Sequence, residues 1–368
     1  MTSRLVTMND FRRLPEPQVQ ALEQAARRVI RSGWFILGPE VTEFERAWGA
    51  FCGTRHALGV ASGLDAIEIG LRAVGIGAGD EVITTPMTAF ATILGIVRAG
   101  AVPVLADIDP ESGLLDLASV ERCLSPRTRA VLLVHLYGQL RRMDGWRSFC
   151  AVHHLLLLED AAQAHGAECQ GRRAGAFGQW AAFSFYPTKN LGAIGDGGAL
   201  CTDNDDVARQ VKLLRNYGQS DRYHHEVAGM NSRLDEIQAA MLRAALAFLP
   251  AATVRRQEIA ATYFAAMTSR RVRLLDRPET PGSHVFHLFV VRTAERAALQ
   301  SHLQKHEIQC LVHYPVCAHR QPPGANLRCD PRGLGAADAF AGECLSLPCH
   351  PHLTPEEVDR VVAAVNSF

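Results

Sequence analysis

The chain has 368 residues, more than one hydrophobic core usually organises, so two packed units are expected, a large one and a smaller one. Lys plus Arg and Asp plus Glu balance at 38 each, which excludes the one-signed field that draws nucleic acid or an anionic membrane. With 48% hydrophobic residues the composition suits an enzyme or binding protein with a substantial core.

In chain order, the opening MTSRLVTMNDFRRLPEP lacks the basic-then-apolar order of a secretory signal, and no apolar run approaches the ~18 residues of a membrane span; a cytoplasmic protein is expected. Two helices are predicted next, Gln18 to Ser32, closed by Gly33, and Val41 to Phe51, opening after Pro39. From Arg55 to about Thr202 short apolar runs (HALGV, DEVITT, VPVLADI, RAVLLVHLYG, LLLLED, AAFSFYP, GALCT) alternate with helical patterns. Continuous apolar strands in a βαβ rhythm indicate a mostly parallel sheet flanked by helices, with its ligand beyond the carboxyl ends of the strands. Helices are expected over Arg233 to Leu249 and Ala251 to Met267, parted by Pro250, where the domain boundary is set: residues 1–250 large, 251–368 small. Strands at Val285 to Arg292 and Ile308 to Tyr314, with helices at Ala294 to Lys305 and Pro355 to Asn366, describe a small α+β domain.

Three segments carry chemistry. FSFYPTKNLGAIGDGGAL places Lys189 between a strand and a glycine-rich loop; a partly desolvated lysine is a good Schiff-base nucleophile, although a lone loop lysine is more often merely solvated. LLLLEDAAQAHGA delivers Glu159 and Asp160 at the end of a strand. Strand alternation gives Asp160 the site and Glu159 the opposite face, against the commoner use of such an aspartate as a helix cap. GVASGLDAIEIGL is a strand, a small-residue turn and an amphipathic helix, whose N-terminus suits a phosphate near Gly63 with Ser184 as a further donor; alone, such a turn often only reverses the chain. The order of the three is the stronger signal, since all are expected on one edge of one sheet.

These segments, with FILGPEVTEFE, HLYGQ, RNYGQ, NSRLDEIQAA and HYPV, resemble the DegT/DnrJ/EryC1/StrS sugar aminotransferases, a family of fold-type I pyridoxal 5′-phosphate (PLP) enzymes. The resemblance runs nearly end to end. It implies that Lys189 holds PLP as a Schiff base, that Asp160 meets the pyridine nitrogen and Gln163 the ring hydroxyl, and that Gly63, Leu64 and Ser184 take the phosphate. It further implies a homodimer with shared active sites, Asn231 reaching the partner's phosphate, and ping-pong transfer from an amino donor, glutamate, to a nucleotide-linked keto-sugar. In PMTAFAT, Ala89 stands where relatives carry a ring-stacking aromatic, leaving Met87 or Phe90 to cover that face.

For the sugar the candidates are Tyr186, His313 and Tyr314, with His287 more often a core residue. SGLDA and HYPV resemble members that aminate C-3 of a thymidine-diphosphate 6-deoxy keto-hexose; C-4 amination is the nearest alternative. A non-catalytic regulatory relative and a PLP lyase, which would need a reactive cysteine such as Cys201, are the readings from other classes. The ten cysteines include no CxxC pair and are expected to be reduced core residues; the late cluster of Cys and His residues fits no zinc-finger spacing, so no metal is expected.

Overall fold

In the computed structural model, which describes residues 5–368, two helices come first, α1 (Glu16–Ser32) and α2 (Pro39–Cys52). There follow β1 (His56–Val60), α3 (Gly63–Ala73), β2 (Glu81–Thr84), α4 (Phe90–Arg98), β3 (Val102–Leu105), α5 (Leu117–Arg122), β4 (Thr128–Val134), α6 (Met143–Val152), β5 (Leu156–Asp160), β6 (Trp180–Ser184), β7 (Gly198–Thr202) and α7 (Asp205–Leu214). After α8 (Glu236–Leu246) and α9 (Leu249–Ala266) come β8 (Arg273–Leu274), β9 (Phe289–Arg292), α10 (Arg296–Lys305), β10 (Arg328–Cys329), α11 (Gly335–Glu343), β11 (Cys344–Leu347) and α12 (Pro355–Asn366).

Eight strands form the main sheet in the order β1-β7-β6-β5-β4-β2-β3-β10. Only β7 runs antiparallel to its neighbours. Because side chains alternate along a strand, each central strand feeds two cores: Ile83, Val131, Leu133 and Leu157 join one apolar cluster, Val82, Ala130, Leu132 and Leu158 the other. This two-sided burial explains why these strands read as unbroken apolar runs. β8, β9 and β11 make a separate antiparallel sheet with its own core of Ile259, Tyr263, Val291, Leu345 and Val361.

Two local expectations change. Pro250 does not part the helices; it sits in the first turn of α9, where its missing N–H costs nothing, and the break falls at Ala247 and Phe248. Residues 308–314 are not a strand. Their bonds are split between Val6, which bridges Ile308, and Ser346, which bridges Leu311, so no ladder propagates. Among the described residues no single helix is long and apolar enough to cross a membrane.

The start of α2 shows how distant segments are locked. Its N-cap is Gly38, which has no side chain to offer. The buried carboxylate of Glu236 replaces it, accepting from the N–H of Gly38 at 2.8 Å, Val41 at 2.9 Å and Glu40 at 2.9 Å, and so ties α2 to α8. Glu236→Ala strands these donors in the interior and is expected to lower the unfolding free energy by roughly 2 kcal/mol or more, read as a shift in the urea midpoint. An unshifted midpoint would show that water caps α2 equally well.

Candidate active site

The turn after β1 is built for an anion. Ser62 caps α3 by accepting from Asp65 N–H, while the N–H groups of Gly63 and Leu64 find no acceptor among the described residues. Gly63 presses on β6, so that a Cβ there would lie 2.7 Å from that of Ser184. No larger residue fits, and the Ser184 hydroxyl is held beside the free N–H groups. Ser232 fixes the turn, accepting from Ala61 N–H and donating to Asp65 at 2.7 Å.

At the end of β5 the two carboxylates part as alternation requires. Glu159 is fully buried and bonds to His135 Nε2 at 2.9 Å and the N–H groups of Gly175, Phe177 and Gly178. Burial alone would raise its pKa, but the His135 bond and these amides outweigh it and hold the carboxyl below its usual range. Asp160, on the other face, accepts from Thr92 Oγ1 at 2.7 Å and Ala162 N–H at 3.2 Å; Thr92 in turn bonds Thr88 at 2.8 Å. Gln163 accepts the N–H of Tyr137 at 2.6 Å, which fixes its amide so that Nε2 donates to the Tyr314 hydroxyl at 3.1 Å.

Lys189 lies on the loop after β6, half-buried and within electrostatic reach of Asp160. Desolvation pulls its pKa down to about 8, partly opposed by the Asp160 charge. The imidazoles around it are neutral: burial holds His165 down to about 3 and His313 to about 4, and takes His287 well below its usual value. His165 is packed between Trp48, Phe183 and Phe185. His287 meets the Asn190 carbonyl at 3.2 Å, while Asn190 donates to Val285 O at 3.1 Å. His313 bonds Ser346 at 2.8 Å, and Tyr137 donates to the His313 carbonyl.

The structure therefore gathers Lys189, Asp160, Gln163 and Tyr314 at one end of the cleft, near His313, and Gly63, Leu64 and Ser184 at the anion turn. Asn231 and Tyr186 are exposed on this chain. Met87 does not cover the site; it is fully buried in the cluster of Leu136, Val134 and Ile108, while Phe90 packs toward Leu105 and Leu334. Thr88, Thr92, His135 and Tyr137 lie inside the PMTAFAT and HLYGQ segments, but the sequence reading gave none of them a role. Cys317, His319 and Asp338 come within 4.8 Å of one another, a trio invisible to finger spacing because Asp338 lies on α11. Arg320 engages Asp338 at 2.6 Å, and burial pushes the Cys317 thiol up to about 12.

The arrangement can hold a phosphate on the α3 amides, a protonated ring nitrogen near Asp160, a ring oxygen at Gln163 Nε2 and a carbonyl at the Lys189 amine. The family model of the DegT/DnrJ/EryC1/StrS aminotransferase family matches residues 18–366. The chain is 45% identical, over 94% of its length and 94% of the relative's, to the erythromycin biosynthesis sensory transduction protein EryC1 of Saccharopolyspora erythraea. It is also 45% identical, over 94% of its length and 91% of the relative's, to the dTDP-3-amino-3,4,6-trideoxy-alpha-D-glucose transaminase of Streptomyces venezuelae. Among solved structures, S. venezuelae DesV in complex with a ketimine intermediate matches with TM-score 0.95 and 43% identity, covering 99% of this chain and 98% of that one. With sequence and fold matched almost from end to end, the chain belongs to the DegT/DnrJ/EryC1/StrS aminotransferase family and is a PLP-dependent enzyme of fold type I.

Proposed function

We propose that the protein transfers an amino group from L-glutamate to C-3 of a thymidine-diphosphate-linked 6-deoxy keto-hexose, acting in the cytoplasm as a homodimer. The observation that carries the transamination reading is the Lys189 amine, tuned to about 8 beside the fixed carboxylate of Asp160. C-3 is chosen over C-4 because the S. venezuelae relative is described as a 3-amino sugar transaminase.

PLP, when bound, supplies an aldehyde for amine exchange and an electron sink for the negative charge left after proton removal. The chain does the rest. Asp160, held by Thr92 and the Ala162 amide, keeps a positive charge on the ring nitrogen. Gln163 places an N–H at the ring oxygen, and Gly63, Leu64 and Ser184 anchor the phosphate. Lys189, with its amine free, would be a base matched to neutral pH and would move the proton at its Nζ. His313 and Tyr314 face the sugar from the C-terminal region, Tyr314 through its bond to Gln163, and Tyr186 adds a flat surface from beside the lysine.

An exposed apolar patch supports the dimer. Trp34, Phe35, Ile36 and Ile194 are 57%, 55%, 41% and 62% exposed. Three of them are tied to the start of α8: Phe35 O accepts from Glu236 N–H, Ile36 bridges Asp235, and Ile194 N–H bonds Gln238. Such a patch on one rigid element is what a second copy would cover, and it lies near Asn231 in the chain. The separate core around β9 and β11 supports a small unit within residues 251–368, to which Val6 adds from the N-terminus while β10 joins the main sheet.

One observation favours a regulatory reading, the sensory description of the EryC1 relative; the intact set of Lys189, Asp160 and Gln163 outweighs it. A lyase has less support, because Cys201 is fully buried within β7 rather than on a loop.

The test is turnover of the dTDP-linked 3-keto-6-deoxyhexose with L-glutamate, with product position read by NMR. Lys189→Ala is expected to abolish borohydride fixation of the cofactor and to slow the half-reaction by about 10² to 10⁴ or more. Asp160→Asn should retain cofactor but lose rate by orders of magnitude; full activity there would remove the carboxylate from the chemistry. Because only the neutral amine attacks, cofactor uptake by the apo-protein should rise about tenfold per pH unit below about 8 and level off above it. Stopped-flow absorbance measures this, and a profile flat through that pH would contradict a desolvated Lys189. Ile194→Arg should shift sedimentation toward the monomer and cost activity with it, whereas an unchanged dimer would place the interface elsewhere.

A further inference from the structure

The strand-to-loop segment Pro187–Ile194 walls the catalytic cleft and also a second, open-mouthed cavity of about 340 Å³ that no other residue of the site lines. Its remaining walls are the N-terminal segment around Leu14 and Leu22, the end of α8, the start of α9 and residues 350–352. A cavity of this size admits a small molecule.

Two side chains on its lining, one cationic and one a hydrogen-bond donor, have unfilled bonds. Arg256 is only 6% exposed, and its hydrogen bonds all leave from Nη1, to the carbonyls of Cys349 at 2.7 Å and Phe286 at 3.3 Å. Among the described residues no carboxylate pairs with it, and its Nε and Nη2 find no acceptor. Burial pulls its pKa down to about 10, which still leaves it charged at neutral pH. His350 is 1% exposed. Its Nδ1 accepts from His352 N–H at 3.3 Å, so the neutral ring carries its proton on Nε2, and that buried atom has no partner. A buried cation without a counter-charge is costly, as is a buried donor without an acceptor. Both costs are removed by one anion. Leu14, Leu22, Ala245 and Phe248 give the lining its apolar part, and the carboxylate on the lining, Asp10, is neutralised by Arg12 at 2.9 Å.

We propose that this cavity binds a small oxyanion carrying an apolar body, with the anionic head on Arg256 and His350 Nε2–H and the body against Leu14, Leu22 and Phe248. Carboxylates and phosphate monoesters share the chemistry of the head. The cavity shares Lys189 and its loop with the catalytic site but none of the residues proposed for the sugar, so the inference does not depend on the substrate proposed above.

The test titrates dialysed holoenzyme by calorimetry with sodium benzoate and with phenyl phosphate, and with benzamide as the neutral isostere. One site per chain is expected for at least one of the two anions, the preferred one naming the head group, with benzamide silent. Arg256→Gln should weaken binding at least tenfold, and Leu14→Trp, which fills the mouth without touching a polar group, should do the same. Should Arg256→Gln fail to fold for want of its two carbonyl bonds, His350→Phe and Leu14→Trp carry the comparison. The proposal is overturned by silence from both anions, by benzamide binding as well as benzoate, or by undiminished affinity in folded variants, which would place the anion in the catalytic cleft. A crystal of the holoenzyme with a partner subunit's carboxylate seated on Arg256 would overturn it too.

Discussion

Burying the Lys189 amine lowers its proton affinity, while the charge of Asp160 pulls the other way, and the two settle near 8. Were desolvation unopposed, the lysine would lose the proton it must return; were the carboxylate unopposed, it would stay charged and inert. The surroundings keep this balance simple. Asp160 spends part of its charge on Thr92 and the Ala162 amide. The imidazoles of His165, His287 and His313 are neutral through burial, so they add no positive field around the amine.

The same economy appears in the acids that do no chemistry. Glu159 holds the amides of Gly175, Phe177 and Gly178, Glu236 those of Gly38, Glu40 and Val41, and Glu45 that of Gly59 at 2.7 Å. Glu159 and Glu236 are carboxylates taken out of water and compensated by N–H groups of a loop and a helix end, while the half-buried Glu45 braces β1. A loop held in this way has few alternative conformations. The anion turn of β1 and α3, pressed between Ser184 and Ser232, is consequently formed before any ligand arrives.

How far this was legible from sequence depends on whether a feature is local. The buried parallel strands were, because two-sided burial imposes unbroken apolar runs; so was the parting of Asp160 and Glu159 onto opposite faces, which rests on strand alternation alone. Lys189, Gln163 and the SGLDA turn stood out through long contiguous motifs. The helix start at Pro250 was misplaced because proline is tolerated in a first turn as readily as it ends a helix, and 308–314 looked like a strand because apolar content does not say that its partners are split. Thr92 on Asp160, Tyr137 N–H on Gln163 and His135 on Glu159 are pairings across 68, 26 and 24 residues; no local pattern announces them.

The C-terminal region meets the main sheet's loops at Val285 and His287, which bond Asn190 beside Lys189, and at the segment 313–314, which reaches Gln163. Tyr314 touches Gln163, His313 leans on Ser346 of β11, and Tyr137 returns to the His313 carbonyl, so the segment is braced both by the main sheet's loops and by the small sheet. The anion turn, Asp160 and Lys189 stand on α3, on β5 and on the loop after β6 of the main sheet. A substitution at 314 therefore bears directly on Gln163, while the bonds of Asp160 and of the anion turn are made elsewhere. Tyr314 itself packs on the cluster of Val134, Leu136 and Tyr137, so this segment is held by the main sheet as well as by β11.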